Sequence, residues 1–316
     1  MGWPLRMLVP NEIQFVTARC FQGRLLMRPS PRTNSVIGGT LARAARLHNV
    51  EVFGFVFASN HFHLLVRAPG GTLPQFMKHL RTNVSKKVGW LIGWNGSFWE
   101  HRYSAEPVLD DGALEGRVRY ILAHGVKEGL VRRCQDWPGL SSLRMMLDGK
   151  PGEFPWFEWS QRWRNRNATE AADRFSRRWS APESVVLAPL PRWANASAEV
   201  RRRLAIRWIR DINREGLSMF KRVLGVAGVL AQNPLKKVDR PTPRSRPSCH
   251  TTFRDLKSIF FDQLRAFIAA FRAASKRWRL GDLSVEFPPW AFRPFLRPLE
   301  ARRALPALAA SPASLG

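Results

Sequence analysis

Two apolar runs, residues 51–58 (EVFGFVFA) and 61–67 (HFHLLVR), are separated by Ser59 and Asn60 alone. A connection that short joins only antiparallel strands, because a parallel pair needs a crossover of a dozen or more residues. The chain must therefore build a hairpin here, and Pro69-Gly70-Gly71 ends it. Strand and helix patterns alternate on either side. Residues 13–21 (IQFVTARCF) read as a strand, and Arg28-Pro29-Ser30-Pro31 breaks it. Asn34 or Ser35 then caps a helix running to His48. Thr72 caps a second helix through about Trp90, with Phe76, Leu80, Val84 and Val88 at steps of four. Residues 94–99 form a loop and 103–109 a further strand. Asp110-Asp111 place acids at the start of a helix reaching about Leu130, where the helix dipole favours them. The order βαββαβα predicts an antiparallel sheet with helices packed on one side of it, an α+β fold.

The second half is basic, Trp-rich and read as mainly helical. Residues 198–214 form an amphipathic helix with Val200, Leu204, Trp208 and Ile212 on one face and arginines on the rest. Residues 220–232 hold two short apolar pieces around Gly225 and Gly228, a weak helix-turn-helix pattern. Residues 233–250 read as a Pro-rich linker and 252–279 as a second amphipathic helix. The expected organisation is a domain over 1–145, a basic extension over 146–303 and a disordered tail over 304–316.

Lys plus Arg number 51 against 24 Asp plus Glu, a net charge of +27. That imbalance points to a polyanionic partner, most simply nucleic acid. No apolar stretch approaches the ~18 residues of a membrane span. The first ten residues lack an apolar signal core, so the expected location is cytoplasmic. Cys20, Cys134 and Cys249 form no CxxC pair, which argues against a disulfide framework or a cysteine-rich zinc site.

His61 and His63 lie two apart in an apolar strand, so both project from one sheet face. Two adjacent imidazoles make either a metal site or a pair of surface histidines. The chain has 2 tyrosines against 20 phenylalanines. Tyr120 and His124, four apart on a helix, share a face. If that face meets the His61/His63 face, three imidazoles and a phenol converge. Taken singly, Tyr120 reads as a core ring with its hydroxyl at the rim, and His124 as a last-turn residue favoured by the helix dipole.

Four segments in order resemble a known family. Ser59-Asn60-His61-Phe62-His63-Leu64-Leu65-Val66 resembles the HUH motif (His, bulky hydrophobe, His) of single-tyrosine transposases. Phe98-Trp99-Glu100-His101-Arg102-Tyr103 resembles their Trp-x-x-Arg-Tyr/Phe segment. Residues 119–131 resemble the tyrosine helix of the REP-associated branch, and Asp136-Trp137-Pro138 with Ser141-Ser142 the segment after it. The resemblance covers roughly 12–145 and implies an HUH, ferredoxin-like βαββαβα core. It implies Tyr120 as nucleophile and His61, His63 and His124 as ligands of a divalent metal, Mg²⁺ or Mn²⁺. The family's Asn-Pro pair is replaced here by His124-Gly125, and an all-imidazole set shifts preference toward Mn²⁺ or another transition metal. The implied reaction is cleavage and rejoining of single-stranded, hairpin-forming DNA through a 5′-phosphotyrosine. Such an enzyme would be nucleoid-associated, and a monomer or a homodimer with exchanged tyrosine helices. Arg102, Arg119 and Lys127 flank the site and are the expected phosphate contacts. The Trp/Arg run over 156–180 offers either base stacking or packing against the core. Competing readings are a non-catalytic DNA- or RNA-binding protein of the same fold, a related HUH nicking enzyme, a zinc hydrolase using the histidines, and Tyr103 as the nucleophile.

Overall fold

The computed structural model describes residues 5–164, 174–175, 177–238 and 247–294. Pro10–Thr252 form one compact unit, and Met1–Val9 with Phe253–Gly316 another. The larger unit opens with β1 (Ile13–Arg19), α1 (Pro31–Leu47), β2 (Glu51–Phe57), β3 (His61–Arg67), α2 (Leu73–Leu91), β4 (Ser104–Pro107) and α3 (Asp111–Lys127). The four strands form one antiparallel sheet in the order β2-β3-β1-β4. The register sets Thr17 opposite His63 and Arg19 opposite His61.

Every interior residue of β3 is buried, so both faces of the sheet are covered. Leu65 packs with Phe15, Phe53 and, from α3, Leu114, Val118 and Ile121. Phe62, Leu64 and Val66 point the other way and are fully buried. The remaining apolar stripes, Val36, Ile37 and Leu41 of α1 and Phe76, Leu80 and Val84 of α2, close that face. Helices thus lie on both faces rather than one. The signal was present: residues 64–66 are apolar without alternation, as in a strand buried on both sides.

Other boundaries differ for local reasons. The first helix starts at Pro31, not near Asn34. Ser30 caps it, its Oγ accepting the Thr33 N–H at 3.0 Å, and Pro31 sits where the helix needs no donor. Thr72 stands at the start of α2, but its hydroxyl donates to the His48 carbonyl at 2.7 Å instead of capping. The third helix stops at Lys127, short of Leu130, and Gly129 takes a left-handed φ of 64° just beyond it.

After α4 (Leu143–Asp148), β5 (Gly152–Phe157) pairs with β6 (Ser180–Val185), with α5 (Trp159–Arg164) between them. This two-stranded sheet was not expected in a mainly helical extension. Its strands carry Pro155 and Pro182 opposite each other, and a proline normally argues against a strand except at an edge. Both strands here are edges. The sheet docks on α1. Glu183 is buried and accepts from Arg43 at 2.7 Å and from Arg46 at 2.8 and 2.9 Å. A Cβ at Gly39 would stand 2.0 Å from the Pro155 carbonyl oxygen. Gly39→Ala is expected to destabilise the fold by about 1–3 kcal/mol through overpacking, measured by denaturant unfolding.

The first tryptophan of the Trp/Arg run is a packing residue. Trp156 is buried, and the Lys87 ammonium sits 3.1 Å from its ring centroid while donating to the Phe157 carbonyl at 2.8 Å. Trp163 is 66% exposed, and residues 165–173 and 176 of the run lie outside the described residues.

The chain continues with α6 (Ala198–Met219) and α7 (Gly225–Ala231). The longer helix runs five residues past the expected Arg214 and packs Leu204, Trp208, Ile209 and Ile212 into the cluster around α3. Residues 239–246 of the expected linker and the tail 304–316 lie outside the described residues. In the smaller unit, α8 (Arg254–Arg279) buries Phe260, Leu264 and Phe267, and Phe271 and Trp278 pack against Phe287. Among the described residues, no helix is long and apolar enough to cross a membrane.

Candidate metal and nucleophile site

Strand alternation puts His61 and His63 on the sheet face that α3 covers. Each imidazole is oriented through its Nδ1. His61 Nδ1 is 2.7 Å from Asn60 Oδ1, and His63 Nδ1 is 2.8 Å from the hydroxyl of Thr17, its partner across β1. Those bonds leave Nε2 of both rings for another partner.

The third imidazole comes from α3. Arg117, Tyr120, His124 and Lys127 follow one another at steps of three, four and three, so they form one stripe of that helix. The ring centroids of His124 lie 4.7 Å from His61 and 5.2 Å from His63, and those of His61 and His63 are 4.9 Å apart. One ligand atom from each of the three lies within 4.8 Å of the others.

His63 Nε2 and both nitrogens of His124 are buried with no hydrogen-bond partner in the protein. Leaving a buried polar atom unpaired is costly. A divalent ion bound by one nitrogen of each imidazole removes that cost at His63 Nε2 and at one of the two His124 nitrogens, so the residues present fit a metal. Their protonation agrees. Burial, with His124 and Arg19 nearby, lowers His61 to about 3. Burial and Lys127 lower His124 to about 4. Burial lowers His63 well below the usual range, with further contributions from His61, His124, Arg117 and Lys127. All three are neutral at pH 7, the form that ligates metal.

Tyr120 lies beside this triad. Its ring centroid is 5.2 Å from that of His63 and 5.8 Å from Phe15, edge-on to both. Phe15 itself stacks on His63 at 5.1 Å. Burial and Glu128 raise the phenol's pKa, while Arg117 opposes them. The Lys127 ammonium lies 4.3 Å and the Arg117 guanidinium 5.0 Å from the Tyr120 ring centroid. A negative charge developing on Tyr120 would therefore form with two cations close to the ring.

The other expected residues fall elsewhere. Arg119 turns toward α6, 3.9 Å from Asp211 and 3.4 Å from Glu215. Arg102 is exposed in the loop before β4. Tyr103 is buried, within charge range of Arg81. Thr17, Phe15 and Arg117 were not singled out in the sequence, and Asn60 entered there only as a turn residue and as part of the HUH segment. Arg117 was legible as the i−3 neighbour of Tyr120. Thr17, 46 residues from His63, depends on strand register.

A segment from far along the chain closes the junction of β4 and α3. The His250 N–H donates to the Pro107 carbonyl at 2.8 Å, and the Leu109 N–H donates to the His250 carbonyl at 2.9 Å. His250 Nε2 lies 2.8 Å from Glu106 Oε2, and its ring is edge-on to Phe15 at 5.3 Å. Asp110 caps α3, accepting the Ala113 N–H at 2.8 Å. It also accepts from the Thr251 hydroxyl and the Thr252 N–H, both at 2.7 Å, and from the Thr252 hydroxyl at 2.9 Å. Burial pushes this carboxyl up, but those hydrogen bonds prevail and hold it at about 2.

No protein-family model and no curated protein matches the chain. Among the solved structures similar to it are two at 16% identity. One is a REP-associated tyrosine transposase bound to a REP hairpin; the match covers 57% of this chain and 98% of that one, with a TM-score of 0.41. The other is a protein from Deinococcus radiodurans R1 described as a transposase, with 38% and 95% covered and a TM-score of 0.27. Both are likenesses of fold, at low identity and over part of this chain.

Proposed function

We propose that this chain is a metal-dependent DNA strand-transfer enzyme that cleaves and rejoins single-stranded, hairpin-forming DNA through Tyr120. The observation that carries this reading is the Tyr120 ring beside three neutral imidazoles whose ligand atoms cluster within 4.8 Å. His61, His63 and His124 hold the ion, Mn²⁺ being better suited than Mg²⁺ to three nitrogens; when bound, it supplies charge withdrawal from the scissile phosphate.

The Tyr120 oxygen attacks phosphorus in line. A new P–O bond to tyrosine forms and the P–O3′ bond breaks. The phenolic proton is released, and the leaving 3′ oxygen takes one up to become a hydroxyl. The product is a 5′-phosphotyrosine diester. One phosphodiester replaces another, so no ATP is consumed, and attack by a 3′-hydroxyl reverses the step. Lys127 and Arg117 favour the phenolate as it develops. The choice of hairpin-forming DNA rests on the sequence resemblance, and the net charge of +27 supports a phosphate-rich partner.

Labelled hairpins drawn from the gene's flanking DNA, incubated with Mn²⁺ and run on a denaturing gel, test the reading. A protein-linked band is expected, lost on chelation and in Tyr120→Phe, with hairpin affinity in that variant unchanged within about twofold because a single hydroxyl carries no phosphate charge. A band that persists in Tyr120→Phe but vanishes in Tyr103→Phe moves the nucleophile. Salt-sensitive binding of the same hairpins with no band favours the non-catalytic nucleic-acid-binding protein.

A further inference from the structure

The outer face of α6 has no role in the site described above. Its inner face is buried against α3 through Leu204, Trp208, Ile209 and Ile212. On the outer face, Arg203, Arg207, Arg210 and Arg214 follow at steps of four, three and four, so they form one exposed row. Arg203 is paired with Glu199 at 2.9 Å. Arg207, Arg210 and Arg214 have no protein partner among the described residues. The other acids on the helix, Asp211 and Glu215, are both turned to Arg119 of α3.

Like charges three and four residues apart destabilise a helix. The row therefore works against folding, and among the described residues only its first member, Arg203, is neutralised by an acid. Its length is about 16 Å, comparable to about five phosphates of one duplex strand measured along the axis. Single-stranded DNA is gripped by aromatic platforms as well as by charge. Here the one aromatic residue of α6, Trp208, is buried beneath the row.

We propose that this face of α6 binds the phosphate backbone of double-stranded DNA, the paired stem of a hairpin substrate. The proposal rests on the DNA-processing reading for its substrate, and it adds the surface and the strand state recognised. Because α6 is packed on the helix that carries Tyr120, a stem held there stands at a fixed distance from the nucleophile.

The test measures equilibrium binding by fluorescence anisotropy across a salt series, in Tyr120→Phe protein without metal. The probes are a short blunt duplex and a single strand of the same sequence. In Arg207→Gln/Arg210→Gln/Arg214→Gln, the slope of log K against log salt for the duplex is expected to fall by about 2.7, at about 0.9 per lost phosphate contact. The single-strand slope stays unchanged, and the matching triple Lys variant keeps the duplex slope. Circular dichroism melting of both triples controls for folding. An unchanged duplex slope in the Gln triple overturns the proposal. So does an equal fall for duplex and single strand, or the same loss in the Lys triple. Because the assay needs no chemistry, a failure of Tyr120 to form a covalent adduct leaves this result standing, and the reverse holds.

Discussion

Metal-free protein taken from pH 7 to pH 4 is expected to unfold, with most of the stability lost between about pH 6.5 and pH 4. His61, His63 and His124 are all held below the ordinary histidine value of 6.5, chiefly by burial. The unfolded chain takes up protons at these positions near pH 6.5, and the folded chain resists until about pH 4 or lower. In that window the unfolded state binds more protons, so stability rises with pH and falls as pH falls. Three protons taken up together correspond to a slope of up to about 4 kcal/mol per pH unit, against a total stability of roughly 5–15 kcal/mol for a typical domain. Carboxylates such as Asp110, at about 2, contribute to acid unfolding only at lower pH. Circular dichroism against pH checks the window. The double variant His63→Gln/His124→Gln should shift the midpoint to lower pH, and an unchanged midpoint would remove the triad from the explanation.

Metal addition should act in the opposite direction. An ion at about 100 times its dissociation constant stabilises the folded state by about 2.7 kcal/mol. For a unit of this size that is a rise in Tm of roughly 5–10 °C. The rise should vanish with chelator and in His124→Ala, because two imidazoles on one strand do not complete the set. Differential scanning with Mn²⁺, Zn²⁺ and Mg²⁺ reads this directly, and the transition metals should give larger shifts than Mg²⁺. An undiminished shift in His124→Ala would show that the ion sits elsewhere.

What was legible in the sequence was whatever depends on local periodicity. The two-residue connection between 58 and 61 sufficed to orient the strands, and alternation sufficed to put His61 and His63 on one face. The same rule, applied to the tyrosine helix, would have chosen better among its arginines. Arg119 is adjacent to Tyr120 in sequence but 100° away on the helix, and it pairs with Asp211 and Glu215. Arg117, three residues back, shares the tyrosine's face. The β5–β6 pair was hidden because Pro155 and Pro182 mask strands that only an isolated edge-to-edge pair tolerates. The hydrogen bond between Thr17 and His63 was beyond reach, since it exists only once β1 and β3 have found their register.

The clasp on Asp110 also bears on when the site comes into being. His61 and His63 belong to a hairpin whose strands are joined by three residues, a closure completed in microseconds. Thr251 and Thr252 meet Asp110 across 141 and 142 residues of chain. A loop that long closes at greater entropic cost, and contacts of such separation form late in folding. On a ribosome, the imidazole pair is in place long before residue 250 has been added. The tyrosine helix is held at its start only afterwards. A nascent chain therefore carries His61 and His63 well before the helix bearing Tyr120 and His124 is clamped, and the two halves of the site mature on different clocks.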